Sequence, residues 1–450
     1  MVTIAAALQR IKGDPRGAIG SSILEGVCRE LGLEWRNTAL TPPVTLALLA
    51  QQVLAGNVSN PELIRQSGQE VTAAGYCTAK GRLPLECVQE VAQRICRGAE
   101  QTAEAQQQYL WKGHRTWHID GSTFSMPDTP ALQKHFGQSG NQKKGCGFPV
   151  AHLLCQFSAT TGLVRDVVAA ELRRGDLADT PALHAHLQPK DIVIGDTSFG
   201  SYFHIALLNQ RGALGVFPNH QKRIVSFRRH RQHVPPGKSR LTKKEQPSSR
   251  WIKSLGKDDQ LVEYLKPTTC PKWMSRAQFD AMPASLIVRE IRRKVYKSGF
   301  RPLVVVIVTT LLDPTDYPAD EIVALLKGRW NVETNLRHLK TTMKMDVLHC
   351  QSVDGVLKEL WTFMLIYNLV RVIMMEAAAR QNVPLARISF ADALYWMRHA
   401  RPGDQLPDLI VNPHRPNRLE PRAVKRRPKK YNRLNQLRAI LRAALKRRKK

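Results

Sequence analysis

Leu325-Leu326-Lys327-Gly328-Arg329-Trp330-Asn331-Val332-Glu333-Thr334-Asn335-Leu336-Arg337-His338-Leu339-Lys340 is the stretch from which the rest of this 450-residue chain is read. On an α-helix, which turns about 100° per residue, Arg329, Glu333 and Lys340 fall within about 60° of one another. Leu325, Val332, Leu336, Leu339 and Met343 share the adjoining face, an apolar stripe able to pin the helix to a core. One carboxylate between two cations also describes an ordinary salt-bridged surface helix. What lies upstream decides between a surface helix and a site.

Upstream, Trp117-His118-Ile119-Asp120 reads as a strand ending in an acid, and residues 150–157 and 163–170 complete a three-stranded meander. Asp179 or Thr180 is expected to cap a short helix through His186, with Pro181 in its first turn. Ile192-Val193-Ile194-Gly195 is apolar, as a buried strand would be, and ends in Asp196. A helix over 202–209, closed by Gly212, and a strand over 214–217 follow. Residues 195–200 have the glycine spacing of a phosphate-binding loop, but Ser201 stands where a lysine is required, which excludes a P-loop. Residues 220–301 read as a basic, β-rich insertion with strands near 261–265 and 286–291. Val304-Val305-Val306-Ile307-Val308 is a further buried strand. From Pro318 one helix is expected to run unbroken through Glu333, with later helices over 356–380 and through Tyr395.

These elements divide the chain into a helical N-terminal region (1–112), a first core segment (113–219), the insertion (220–301), a second core segment carrying Glu333 (302–380) and a basic helical C-terminal region (381–450). The N-terminal region fits a packing domain and a DNA-gripping one equally well.

Charge narrows the partner. Lys and Arg number 68 against 37 acids, a net of +31. Residues 415–450 hold sixteen Lys/Arg and one acid, and residues 221–253 hold eleven and one. Basic charge concentrated in this way suits surfaces that follow a nucleic-acid backbone. In the second segment, His230 and His233 stand among Arg228, Arg229 and Arg231, which favours phosphate contact over metal binding. Trp251 and Trp273 suit base stacking or, more commonly, core packing. The eight cysteines form no C-x-x-C pair, so buried, reduced thiols are expected and a zinc site is not. No secretory signal is evident, and the most apolar helical run, residues 360–370, is bounded by Glu359 and Arg371 and falls short of the about 20 residues that span a bilayer. A soluble, cytoplasmic protein, nucleoid-associated when bound to DNA, is expected.

The three acids Asp120, Asp196 and Glu333 are 76 and 137 residues apart. Strand-acid, two strands, helix, strand-acid, helix, strand, insertion, strand, helix-acid is the order by which a ribonuclease-H-like α/β sheet gathers acids from two neighbouring strands and a flanking helix. Converging carboxylates repel one another unless hard divalent cations lie between them.

The chain resembles the DDE insertion-sequence transposases of the IS-four-type branch. The resemblance rests on Ile119-Asp120-Gly121-Ser122-Thr123 with Pro127-Asp128-Thr129, on Gly195-Asp196-Thr197-Ser198-Phe199, and on Arg329, Glu333 and Lys340 at the spacing of the branch's Y-x2-R-x3-E-x6-K motif. The basic run Lys425-Arg426-Arg427-Pro428 also looks like the family's C-terminal region. The motif's tyrosine position is Leu326 here. The resemblance implies that Asp120, Asp196 and Glu333 are catalytic ligands of Mg²⁺, with Mn²⁺ able to substitute. It implies double-stranded DNA as partner, a homodimer holding two ends, and Arg329 and Lys340 on phosphate. Arg337, Lys222, Arg223, Arg228, Arg229, Lys425, Arg426 and Arg427 complete the expected DNA contacts. The activity implied is cleavage of terminal inverted repeats and joining of their 3′ ends to target DNA. A catalytically inactive, transposase-derived regulator remains the alternative.

Overall fold

The computed structural model describes residues 21–413 except 37, 106–108, 141–142, 144, 221–222, 235–245, 296–302 and 401–403, together with a few positions between 436 and 447. Lys222, Lys425, Arg426 and Arg427 lie outside the described residues.

Among the described residues five helices come first: α1 (Ser21–Glu30), α2 (Pro42–Leu54), α3 (Asn60–Ser67), α4 (Ala73–Arg82) and α5 (Leu85–Ala105). Thr41, Ser59 and Thr72 start α2, α3 and α4 by accepting a backbone N–H from the first turn, which satisfies donors that a helix start otherwise leaves bare. These helices do not close on themselves. Leu24, Val27, Leu46 and Val88 share one continuous core with Phe124, Leu153 and Phe157 of the sheet and with Leu360 and Phe363 further on.

Strands β1 (Thr116–Ser125), β2 (Val150–Ser158), β3 (Val164–Glu171), β4 (Ile192–Ile194) and β5 (Leu214–Pro218) form half of a nine-stranded mixed sheet, with α6 (Pro130–Phe136), α7 (Asp176–Leu183) and α8 (Tyr202–Gln210) between them. β4 lies parallel to both β1 and β5, while β2 runs antiparallel to β1 and to β3. Helix α7 begins earlier than expected, after Gly175, and Pro181 sits inside it. Asp176 and Asp179 in its first turn favour the early start by facing the positive end of the helix dipole.

The insertion is built into the same sheet. β6 (Ser249–Gly256), β7 (Asp259–Leu265), the short α9 (Arg276–Asp280), β8 (Ser285–Val295) and β9 (Leu303–Thr309) form an antiparallel meander, and β9 pairs with β5, so the order is β3-β2-β1-β4-β5-β9-β8-β7-β6. β6 went unread in the sequence because its polar residues do not alternate cleanly with apolar ones, and two register irregularities interrupt its pairing with β7.

The helix expected to run unbroken through Glu333 is two helices, α10 (Ala319–Lys327) and α11 (Trp330–Arg337). Between them the bonds Arg329 N–H to Leu326 O, Asn331 N–H to Gly328 O and Val332 N–H to Arg329 O span three residues, a tightened turn. After α11 the chain widens into a π turn over His338–Thr342. Both changes alter the angle per residue, so a straight-helix projection cannot place Lys340.

α12 (Val353–Arg380) is 28 residues long, and α13 (Phe390–His399) follows. By length and composition alone α12 is apolar enough to cross a membrane, contrary to the shorter run read from sequence, but it is the buried central helix of the fold. The charges that appeared to bound its apolar run are themselves inside. Glu359 accepts the His349 and Cys350 N–H groups and the Asn57 amide, and Arg371 Nε donates to Thr161 O at 2.8 Å. Buried charges persist where every polar atom finds a partner. The eight cysteines, all among the described residues, form no disulfide; five are buried, Cys270 and Cys350 are half-buried, and Cys77 is exposed, against the expectation of uniformly buried thiols.

Candidate active site

β1 and β4 pair in register, Thr116 with Ile192 and His118 with Ile194. Asp120 and Asp196 each lie two residues beyond that last pair, so two carboxylates emerge from neighbouring parallel strands at the same edge, where strands are about 4.8 Å apart. Period-two alternation puts Thr116, His118, Asp120 and Ser122 on one face of β1, the face on which α11 also supplies its residues.

Asp120 Oδ1 accepts the Gly121 N–H at 2.9 Å. Burial pushes the Asp120 carboxyl up from 3.8 to about 6; the charges of Asp196 and Glu333 push the same way, and the Gly121 hydrogen bond and Arg329 push back. The mutual repulsion of the three acids is therefore felt at Asp120. Asp196 starts the turn Thr197–Phe199, and its Oδ1 accepts both the Ser198 N–H at 2.8 Å and the Ser198 hydroxyl at 2.6 Å. Phe199 folds back over Gly195 so closely that an added Cβ would sit 2.6 Å from the ring, which is why this turn needs a glycine there.

Arg329 is not presented outward. Its guanidinium, 17 % exposed, lies between Asp120 Oδ2 and Glu333 Oε1, at 3.9 Å from each. Glu333 itself is 64 % exposed. Lys340 reaches β1 and donates from Nζ to Ser122 Oγ at 3.0 Å. Arg337 is exposed and donates to Thr334 Oγ1. Leu326, at the motif's tyrosine position, packs into the core with Ile322 and Val323.

Away from this edge, Arg228 and Arg229 are exposed on the insertion. Arg223 turns inward and covers the Tyr264 ring at 3.8 Å. His230 lies tilted against Trp251 with ring centroids 4.4 Å apart, and Trp273 packs against the core beneath α8 and α9.

Sequence reading missed a second layer behind the acids. His152 Nε2 contacts Asp176 Oδ1 at 2.7 Å, and this partner holds Asp176 below the usual carboxylate range. Asp176 Oδ2 lies 3.4 Å from the Ser198 hydroxyl, next to Asp196. Ser198 stood in a quoted motif without a role; nothing local marked His152 or Asp176.

The donor set suits a hard divalent ion: three carboxylates, formally −3, faced by one close guanidinium, with their repulsion registered at Asp120. As their side chains lie, no three His, Cys, Asp or Glu among the described residues enclose an ion.

The chain thus sets acids from two neighbouring parallel strands and a flanking helix at one edge of a mixed α/β sheet, on a protein of net charge +31. Residues 111–369 match the Transposase DDE domain family, and the chain belongs to that family, in its IS4-type branch. It is 24% identical over 382 residues to Transposase InsG for insertion sequence element IS4 of Escherichia coli (strain K12), spanning 80% of this chain and 78% of that protein. It is 27% identical over 103 residues to Putative transposase InsZ of the same strain, spanning 23% and 34%. Among solved structures, the piggyBac transposase synaptic complex with hairpin DNA overlays with a TM-score of 0.42 at 10% identity, covering 88% of this chain and 80% of that one.

Proposed function

We propose that this DNA transposase binds the terminal inverted repeats of an insertion sequence, hydrolyses the strands at their ends and joins the freed 3′ ends to target DNA. The core under this reading is ribonuclease-H-like, β1 to β5 carrying two acids and α11 the third. The observation that carries it is the pairing of β1 with β4, which brings Asp120 and Asp196 to one edge beside Glu333.

Asp120, Asp196 and Glu333 would hold Mg²⁺ or Mn²⁺. When bound, such ions supply a Lewis acid and an activated oxygen nucleophile for phosphoryl transfer. The protein's own contribution is placement. Gly121 and Ser198 each fix one carboxylate oxygen of Asp120 and Asp196, leaving the other oxygen to face the reaction. Arg329 and Lys340 supply cations within the same cleft for the scissile backbone, and Arg337, Arg228 and Arg229 extend the basic surface along the duplex. A homodimer holding two ends, in the cytoplasm of a bacterial cell, completes the reading, supported by the family resemblance.

The test uses a duplex bearing the inverted repeat that flanks the gene. Wild-type protein should nick it in Mg²⁺ and transfer the 3′ end to a plasmid, while Asp120→Ala binds the same duplex and leaves it intact. Binding without nicking by the wild type across Mg²⁺, Mn²⁺ and a range of salt would sink the proposal.

A further inference from the structure

Directly behind the two strand acids, His152 of β2, Asp176 at the start of α7 and Ser198 in the turn after β4 form a chain of contacts that ends on Asp196. His152 Nε2 meets Asp176 Oδ1 at 2.7 Å, Asp176 Oδ2 lies 3.4 Å from Ser198 Oγ, and Ser198 Oγ lies 2.6 Å from Asp196 Oδ1. Ser198 has one hydroxyl proton and two carboxylates within reach, so it donates to one and not the other. The shorter distance assigns it to Asp196.

The other end of this chain rests on β1. A Cβ on Gly121 would stand 3.1 Å from Asp176 Oδ1 and 3.2 Å from His152 Nε2, so the pair is seated against the backbone of the residue that follows Asp120. The same glycine donates its N–H to Asp120 Oδ1. The His152 side chain is 10 % exposed, and its other ring nitrogen is buried without a partner, so the contact with Asp176 is the one polar bond that its side chain makes.

We propose that His152 is a positioning residue for Asp196, acting through Asp176 and Ser198. By occupying Asp176, His152 keeps that carboxylate from taking the Ser198 proton, so that Ser198 stays bonded to Asp196 Oδ1 and Asp196 presents Oδ2 in one fixed direction. Groups that orient a ligand from behind in this way typically change metal affinity about 10- to 100-fold when removed. This inference rests on Asp196 being a ligand, as read above.

The experiment measures Mn²⁺ binding to the full-length protein with its end duplex by the electron paramagnetic resonance of free Mn²⁺, alongside duplex affinity without metal. His152→Ala should weaken Mn²⁺ binding about tenfold and leave duplex affinity without metal close to wild type. His152→Ala combined with Asp176→Asn should recover most of that loss, because the unpaired charge competing for Ser198 has gone. A general packing defect would instead make the double variant no better than the single one, and that result overturns the proposal, as does unchanged Mn²⁺ affinity in His152→Ala. If His152→Ala fails to fold, Ser198→Ala carries the same expectation of weakened Mn²⁺ binding with intact duplex binding, and unchanged Mn²⁺ affinity there counts against the proposal. Asp196→Asn separates the two readings: if it leaves Mn²⁺ affinity unchanged, the assignment of Asp196 as a ligand fails. If it abolishes binding while His152→Ala does nothing, only the positioning role fails.

Discussion

One sheet carries two clusters of acid and base that behave in opposite ways. In the insertion, Arg289 is fully buried and grips Asp259 through two bonds of 2.8 and 2.6 Å, and it also donates to Tyr317 O at 2.7 Å. Nearby, Glu290 accepts from Gln260 and Tyr264. At the β1–β4 edge, one guanidinium stands 3.9 Å from both Asp120 and Glu333, and burial, with the charges of Asp196 and Glu333 adding to it, holds Asp120 well above its ordinary pKa. Charge that is fully matched inside the fold holds the fold together; charge left short of counter-ions is available to something outside it.

The sharpest way to break this contrast is to damage each cluster and ask what is lost. Glu333→Ala should lower end cleavage by on the order of 10³-fold or more while the melting temperature changes little, as single-turnover cleavage and thermal scans would show. Arg289→Ala should do the reverse, costing about 3–5 kcal/mol of stability by stranding Asp259, measured as a lower urea midpoint. If Arg289→Ala is as stable as wild type, the satisfied cluster is not what holds the insertion.

A pH series sharpens the contrast at the acid edge. Because the folded-state pKa of Asp120 is raised from 3.8 to about 6, its ionisation opposes folding, with no penalty below about pH 4 and the full penalty above about pH 6. Asp120→Asn should therefore stabilise the metal-free protein by up to about 3 kcal/mol at pH 7 and by nothing near pH 3.5. A gain that is flat with pH would assign the effect to packing. The smallest change expected is in Lys340→Ala, which gives up one half-buried bond to Ser122. Its stability should shift by less than about 1 kcal/mol. Its duplex affinity should fall with a salt slope reduced by about 1, in titrations at several salt concentrations.

Much of this was legible in advance. The strand that carries Asp120, the short apolar strand before Asp196 and the meander between them are local patterns; β2 to β5 appear within a residue or two of their expected bounds, whereas β1, expected to end at Asp120, continues to Ser125 through its pairing with β2. The insertion's sheet pairing was not legible, since β9 joins β5 across almost a hundred residues and only hydrogen bonding between distant strands selects that partner. Arg329, read as a phosphate contact, stands beside a tightened turn at Gly328–Arg329 with its guanidinium 3.9 Å from Asp120, a placement that the straight-helix projection did not contain. Arg223, expected on DNA, lies over the Tyr264 ring at 3.8 Å, a contact no local pattern announced.

The sequence by itself determined the chemistry and its order along the chain: one acid on a strand, one just after a strand, a third on a helix, cations at fixed spacing and a large excess of basic charge. Those follow from side-chain type and local period, which act over a few residues. Only the tertiary structure decided which carboxylates meet, which cation lies between them and which residues stand behind them. The in-register parallel pairing of β1 with β4, the tightened and widened turns around α11 and the His152–Asp176 contact all arise from packing between segments far apart in the chain. No local period encodes that packing.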